Sequence, residues 1–131
     1  LNGRFAASDF IHDVLSQQNI VIKGDGKAVR SYLYMADLMV WLWTILFSGE
    51  NSRPYNVGSE MPITISEVAE AFARESIPPE TVSILKKPSQ GAAPDYYVPD
   101  TARARTELNL KQRIPFTTSI KKTMQWHRDI N

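Results

Sequence analysis

Two polar residues stand in apolar surroundings, and they carry the chemistry that this sequence offers. Arg30 lies in the run VRSYLY. A guanidinium in such a strand is costly unless it meets an anion, and its planar fork matches a phosphate group. Asn56 lies in PYNVG, just before a glycine that lets the backbone turn away. Two such side chains can line one pocket for an anionic ligand.

A structural role explains the same two residues equally well. Arg30 can form an internal ion pair with Asp25 or Asp37, and Asn56 can bond to the backbone. The residue types alone leave both alternatives open.

Other kinds of site are not indicated by the sequence. No G-x-G-x-x-G follows a strand, and no G-x-x-x-x-G-K-[ST] is present. The second glycine of GDGKAV leads into a strand instead of a helix N-terminus, so this turn is not a nucleotide loop. His12 and His127 lie far apart with no carboxylate pattern around them. We therefore predict no catalytic, cofactor-binding or metal-binding residue in this chain.

Composition narrows the class of protein. The chain has 131 residues, enough for one domain, with 15 Lys and Arg against 14 Asp and Glu and no cysteine. The near-neutral charge disfavours nucleic acid and anionic membranes as partners. It also argues against a winged-helix DNA-binding domain. The longest apolar run, LMVWLWTILF, is about half of what a bilayer crossing needs. We expect a soluble, cytoplasmic protein.

Because the chain starts without methionine and almost at once enters a helical pattern, we expect a piece of something longer.

The periodicity predicts alternating helices and strands, a mixed α+β class. We predict helices over residues 5–17, 36–47, 65–77, 101–108 and from 117 onward, and strands over 20–23, 29–33, 54–58 and 81–85. Residues 86–99 are expected to form an ordered loop or extended arm. TISE fits a capping box, Asp100 and the TTS at 117–119 are candidate helix caps, and Ile120, Met124 and His127 should share one face. The helix over 36–47 is apolar nearly all round, which is typical of a helix buried on several sides.

Three segments carry a family resemblance. IKGDGKAVRSYLYMADL, RPYNVGSEMPITISEVAEAFA and YYVPDTARARTELNL stand in this order, followed by a terminal helix with Trp126. Together they resemble the C-terminal, substrate-binding portion of extended short-chain dehydrogenases/reductases, the nucleotide-sugar epimerases and dehydratases. The dTDP-glucose 4,6-dehydratase branch looks most similar. The resemblance implies that residues 1–131 form a small α+β domain that binds a nucleotide-diphosphate sugar and packs on an N-terminal Rossmann domain.

The resemblance also assigns roles to single residues. Arg30 matches the arginine that contacts the pyrophosphate, and Asn56 matches the asparagine that joins it. Ile22 and Lys23 fall where the family places the wall against the base, although an aromatic residue is common at the second position. Tyr97 matches the tyrosine of a YV segment.

Two further positions complete the family pattern. Many relatives carry an arginine just before the tyrosine of the YV segment, where this sequence has Asp95 and Tyr96. Asp37 matches a frequent aspartate, for which we expect a favourable place near the positive end of a helix instead of a catalytic role.

The activity implied by the resemblance belongs to a whole enzyme. In this family NAD and a Tyr-x-x-x-Lys pair on the N-terminal domain oxidise the sugar at C4, while the C-terminal portion positions it. We expect this chain to be inactive alone, and the whole to be a homo-oligomeric dehydratase, with epimerase, decarboxylase and reductase as alternatives. A non-catalytic nucleotide-sugar-binding module, or a protein-interaction domain using the Trp-rich helix, are the alternatives from other classes.

Overall fold

Short strands and five helices alternate in the computed structural model, which describes residues 5–87 and 93–130. The elements in chain order are α1 (Ala6–Leu15), β1 (Ile20–Ile22), β2 (Val29–Arg30), α2 (Met35–Ser48), β3 (Ile63–Thr64), α3 (Ile65–Glu75), β4 (Val82–Ile84), β5 (Tyr96–Tyr97), α4 (Ala102–Leu108) and α5 (Phe116–Ile130). The predicted mixed helix and strand class is confirmed.

The strands form two small sheets. β1 pairs with β4 in parallel, so Ile22 lies opposite Ile84. In the second sheet β2 lies in the centre, antiparallel to β3 and parallel to β5. Arg30 is thereby the register partner of both Ile63 and Tyr97. This second sheet positions the candidate site.

The main core lies between α1, α3, α5 and β1. Phe72 of α3 is 2% exposed and meets Phe10 of α1 edge to face, with 6.4 Å between ring centres. Val68 and Met124 are fully buried beside them. The predicted capping box starts α3: Glu67 N–H donates to Thr64 Oγ1 at 3.2 Å, and Thr64 N–H donates to the Glu67 carboxylate at 2.7 Å.

A second, smaller core joins α2 to α4 through Trp41, Ala104 and Leu110. The expectation that the apolar α2 is buried on several sides is wrong for this chain. Only Asp37 and Trp41 of this helix are buried, whereas Leu46 is 68% and Phe47 77% exposed. The other elements cover one stripe of α2 and leave its remaining apolar faces open. In the described ranges, no helix is long and apolar enough to cross a membrane.

Two predicted strands differ from the structure. Residues 54–58 form no strand; the neighbouring Ser59 N–H instead donates to Ser31 Oγ at 2.9 Å, and Ser31 Oγ donates to the Ser59 carbonyl at 2.8 Å. β2 ends at Arg30, short of the predicted residue 33. Two-residue β3 and β5 were not predicted.

The predicted caps of the last two helices have mixed outcomes. Asp100 Oδ1 accepts the N–H of Ala102 at 2.8 Å, so it supports the start of α4. α5 begins at Phe116, before the predicted TTS cap, and Ser119 Oγ bonds back to the Pro115 carbonyl at 2.9 Å. Residues 88–92 of the expected loop lie outside the described residues.

Candidate functional site

Arg30 ends β2, and the backbone and one acid hold its guanidinium. Nη1 donates to the carbonyl oxygens of Val29 at 2.8 Å and Asp95 at 3.1 Å, and Nη2 donates to Asp95 Oδ2 at 2.5 Å. The side chain of Arg30 is 32% exposed and that of Asp95 is 73% exposed. The structural alternative was therefore right about an internal ion pair, but it named the wrong acid.

Both acids that we expected as partners of Arg30 bind elsewhere. Asp25 Oδ1 accepts the N–H of Lys27 at 3.1 Å and closes the turn between β1 and β2. Asp37 is 4% exposed in the first turn of α2, and its Oδ2 accepts the N–H groups of Arg113 at 3.0 Å and Ile114 at 2.9 Å. Asp37 therefore stands at the positive helix end, as expected, and also ties α2 to the segment before α5.

Asn56 bonds to the backbone, as the structural alternative predicted. Its Nδ2 donates to the carbonyl oxygen of Asp100 at 2.9 Å, and the residue is exposed. Two residues on, a Cβ at Gly58 would lie 2.5 Å from Cγ of Pro99 and 3.1 Å from Ser31 Oγ. Only glycine allows this close approach between the loop and residues 95–100.

The 95–100 segment brings three predicted site residues together. Tyr97, 76% exposed, is the register partner of Arg30, so both side chains lie on one face of the sheet. Asn56 meets the same segment at Asp100. These three residues form the candidate ligand surface.

Glu60 fixes the far end of the 95–100 segment. Its carboxylate accepts the hydroxyl of Thr101 at 2.8 Å and the guanidinium of Arg105 at 2.5 Å. The hydrogen bond from the Thr101 hydroxyl is the main cause that lowers the pKa of Glu60. The segment is thus anchored at β5 on one side and at the start of α4 on the other.

Ile22 and Lys23 belong to a different part of the surface. Ile22 is 2% exposed in the main core, and Lys23 Nζ lies 2.9 Å from Asp9 Oδ2. The hydrogen bond with Asp9 raises the pKa of Lys23. Both residues line a cavity of about 310 Å³ beside Phe5 and the GDG turn. Arg30, Asn56 and Tyr97 do not line that cavity.

The GDG turn does not fit a dinucleotide site. Gly26 has φ 75°, but a Cβ there would lie 2.0 Å from Ser66 Oγ, so this glycine packs against α3. The turn then continues into β2, where no helix N-terminus can receive a pyrophosphate. Within residues 5–87 and 93–130, no group of three or more His, Cys, Asp or Glu could hold a metal ion.

One family model and two known proteins are similar to parts of this chain. The model of the NAD dependent epimerase/dehydratase family matches residues 4–58. UDP-glucuronic acid decarboxylase 1 of Arabidopsis thaliana is 29% identical over 107 residues, which make up 82% of this chain and 24% of that protein. A dTDP-glucose 4,6-dehydratase of Streptomyces niveus is 26% identical over 120 residues, 92% of this chain and 35% of that protein. The chain therefore spans about a third or less of these relatives.

A solved structure shows the same fold. The UDP-glucuronic acid 4-epimerase of Bacillus cereus, in complex with UDP-glucuronic acid and NAD, aligns with a TM-score of 0.80 at 18% identity. The alignment covers 98% of this chain and 41% of the epimerase chain. The fold is therefore one that nucleotide-sugar enzymes contain. The resemblance seen in the sequence is confirmed: the chain is similar to proteins of the NAD dependent epimerase/dehydratase family.

Sequence reasoning missed Asp95 as a partner of Arg30. The available signal was an acid standing where relatives carry an arginine beside the ligand. That exchange of charge was noted, but no partner was assigned to the acid. Relatives place that arginine beside the ligand, and Arg30 is the candidate phosphate contact at the same ligand. An acid at the arginine's position therefore lies near Arg30 and can pair with it.

Proposed function

We propose that this chain is the substrate-binding portion of an NAD-dependent nucleotide-sugar dehydratase or epimerase. It would hold the nucleotide and pyrophosphate while the sugar is oxidised at C4 in another part of the enzyme. The dehydratase reaction is the first choice, and epimerisation, decarboxylation and reduction are the alternatives. The proposal rests on the guanidinium of Arg30. Three of its five N–H groups donate to the protein, and two have no acceptor among the described residues.

Arg30 has the geometry of a phosphate ligand. The guanidinium carries five N–H donors, and the three hydrogen bonds in the structure use both on Nη1 and one on Nη2. Nε and the second hydrogen of Nη2 form one edge of the fork, which can donate to two oxygens of a phosphate. Because Nη1 is fixed by two carbonyl groups, the edge is already oriented before a ligand arrives.

Asn56 and Tyr97 extend the same surface. Asn56 keeps one amide hydrogen and its carbonyl oxygen for a ligand, since its one hydrogen bond goes from Nδ2 to Asp100. Tyr97 offers an exposed phenol beside Arg30 in the register of the sheet. We assign the pyrophosphate to Arg30 and Asn56.

We assign the base of the nucleotide to the cavity at Ile22 and Lys23. Lys23 donates to Asp9 at the cavity, and Phe5 adds an exposed aromatic ring at its edge. An aromatic face of this kind can stack on a base. Phe5 thus takes the place of the aromatic residue that Lys23 replaces.

The exposed face of α2 is proposed to pack against the cofactor-binding portion of the enzyme. Trp43 and Phe47 stack on it with 5.6 Å between ring centres, and apolar surface of this extent is rare in isolated monomers. The GDG turn does not fit NAD, so the hydride chemistry would reside in that other portion. A homo-oligomeric whole enzyme belongs to the same proposal, and the mass of the complete protein in solution tests it.

Substitution of Arg30 tests the function. In the natural protein that contains this chain, Arg30→Ala should weaken nucleotide-sugar binding by roughly one and a half to three decades, since a charge-assisted contact in a partly desolvated site contributes about 2 to 4 kcal/mol. Arg30→Lys should recover only part of the affinity, because an ammonium cannot bond two oxygens in one plane. Calorimetry with dTDP-glucose and UDP-glucose measures the effect.

Arg74→Ala is the matched control, because Arg74 forms a surface ion pair with Glu70 on α3 at 3.1 Å. This control should leave binding unchanged. If Arg30→Ala lowers the melting temperature while the affinity stays the same, Arg30 is structural and the proposal fails.

A further inference from the structure

We infer that Asp95 sets which diphosphates the Arg30 site prefers: its carboxylate shifts the preference toward a diphosphate closed by a sugar and away from a free nucleoside diphosphate. The inference rests on the proposed function, because it requires a phosphate at Arg30. It adds a specificity residue that faces the ligand without binding it.

The first observation is the way in which Asp95 shares the guanidinium. Its carbonyl oxygen and its Oδ2 take the edge formed by Nη1 and Nη2, at 3.1 Å and 2.5 Å. No acceptor in residues 5–87 or 93–130 takes Nε or the second hydrogen of Nη2. A phosphate at this second edge therefore lies beside the carboxylate and does not replace it.

The second observation is that the backbone of Asp95 is fixed. Val29 N–H donates to the Asp95 carbonyl at 2.8 Å, and the same oxygen accepts from Nη1 of Arg30. The residue directly after it begins β5. The main chain of Asp95 thus stays next to the site when a ligand binds, and its carboxylate, on a 73% exposed side chain, remains within reach of Arg30.

The consequence follows from charge. The Asp95 carboxylate offsets the positive charge of Arg30, so the pair supplies hydrogen bonds to a phosphate with little net attraction. A nucleotide sugar carries one negative charge on each phosphate, whereas the terminal phosphate of a nucleoside diphosphate ionises a second time with a pKa near 6. Arg30 alone would attract this extra charge, and the Asp95 carboxylate opposes that attraction; two like unit charges about 7 Å apart repel by about threefold in water and about fiftyfold near a protein surface.

The test compares ligands that differ only in the closing sugar. Binding of dTDP-glucose and dTDP, and of UDP-glucose and UDP, is measured by calorimetry at about pH 8, where the terminal phosphate is fully ionised. The proteins are the natural protein that contains this chain and its variants Asp95→Asn, Arg30→Ala and Arg30→Ala/Asp95→Asn. Glu70→Gln is the control, because it removes one negative charge from the surface pair on α3.

The expected result is a fall of about threefold to fiftyfold in the preference for the sugar-bearing ligand in Asp95→Asn, mainly through tighter binding of the nucleoside diphosphate. Glu70→Gln should keep the wild-type preference. An unchanged preference in Asp95→Asn, or equal weakening of both ligands, would overturn the inference and leave Asp95 as a positioning residue.

The outcomes also separate the two proposals. If Arg30→Ala weakens dTDP-glucose or UDP-glucose binding but Asp95→Asn leaves the preference unchanged, the specificity role of Asp95 fails while the proposed function stands. If Arg30→Ala has no effect on either nucleotide sugar, the proposed function fails and the inference fails with it. The melting temperature of Asp95→Asn is recorded alongside, and it should stay near that of the wild type because the side chain is exposed.

Discussion

The carboxylate of Asp37 offers a sharp local test, because one buried oxygen closes two backbone hydrogen bonds. Its Oδ2 accepts the N–H of Arg113 at 3.0 Å and of Ile114 at 2.9 Å, between α2 and the segment that leads to α5. Asp37→Ala removes the acceptor and leaves two backbone donors without it. We expect the 110–116 segment to detach from α2 more often.

The magnitude follows from the two bonds. A hydrogen bond to a charged group contributes about 1.5 to 3 kcal/mol, and two bonds to one oxygen share its charge, so about 2 to 4 kcal/mol is expected for the pair. Opening of the segment should then become about one and a half to three decades more frequent. Asp37→Asn should show a smaller increase, because its amide oxygen can still accept both N–H groups.

Hydrogen exchange followed by mass spectrometry measures this opening directly, through the peptide that covers residues 110–116. Asp129→Asn serves as the control, because Asp129 is exposed and accepts only from Gln125 within α5, at 2.6 Å. If Asp37→Ala exchanges in this peptide as slowly as the wild type, the two hydrogen bonds do not hold the segment and the reasoning is refuted.

Three further predictions concern α3 and α2. Thr64→Ala removes a helix cap and should lower the free energy of unfolding by about 0.5 to 2 kcal/mol in urea denaturation; no loss would contradict the capping box. Hydrogen bonds from the Thr64 backbone and hydroxyl lower the pKa of Glu67 from 4.5, so its stabilising contribution is present above that pH and is lost as the pH falls through the lowered pKa. Glu67→Gln should make the melting temperature fall less steeply with decreasing pH in the acid range. An unchanged pH dependence of the melting temperature would contradict this prediction. Residues 1–131 alone should self-associate in light scattering, and Phe47→Ser should reduce the mass; a wild-type monomer at high concentration would disprove this.

Local signals predicted the helices and the longer strands well. The apolar spacing in α1 and α3 gives both helices, and the Thr64 and Glu67 side chains mark the start of α3 before any tertiary contact is considered. Strands of two residues carry too little alternation to be recognised, so β3 and β5 were missed. Residues 54–58 have a strand-like composition but form no ladder, and the neighbouring Ser59 bonds to the side chain of Ser31.

The candidate site was only partly predictable, because its contacts are not local. Arg30 and Asn56 are conspicuous as polar residues among apolar neighbours, and that contrast is readable in sequence. The acid that pairs with Arg30 is 65 residues away, and no periodicity connects them. Asp25 and Asp37 were named because they are near in sequence. The exposure of α2 was missed for a related reason, since periodicity identifies an apolar face but not the chain that covers it.

The parallel pairing of β2 with β5 also sets the order in which the chain can complete its fold. The guanidinium of Arg30 meets a partner 65 residues later, whereas α1 and α3 can already meet at Phe10 and Phe72 before β5 has been synthesised. At about 5 to 20 residues per second during synthesis, Arg30 waits several seconds for residue 95. Closing so long a loop costs conformational entropy, and the few hydrogen bonds of two-residue strands offset that cost only weakly. A ligand held by both Arg30 and Asn56, as proposed above, would bind only the closed loop and would stabilise it by mass action.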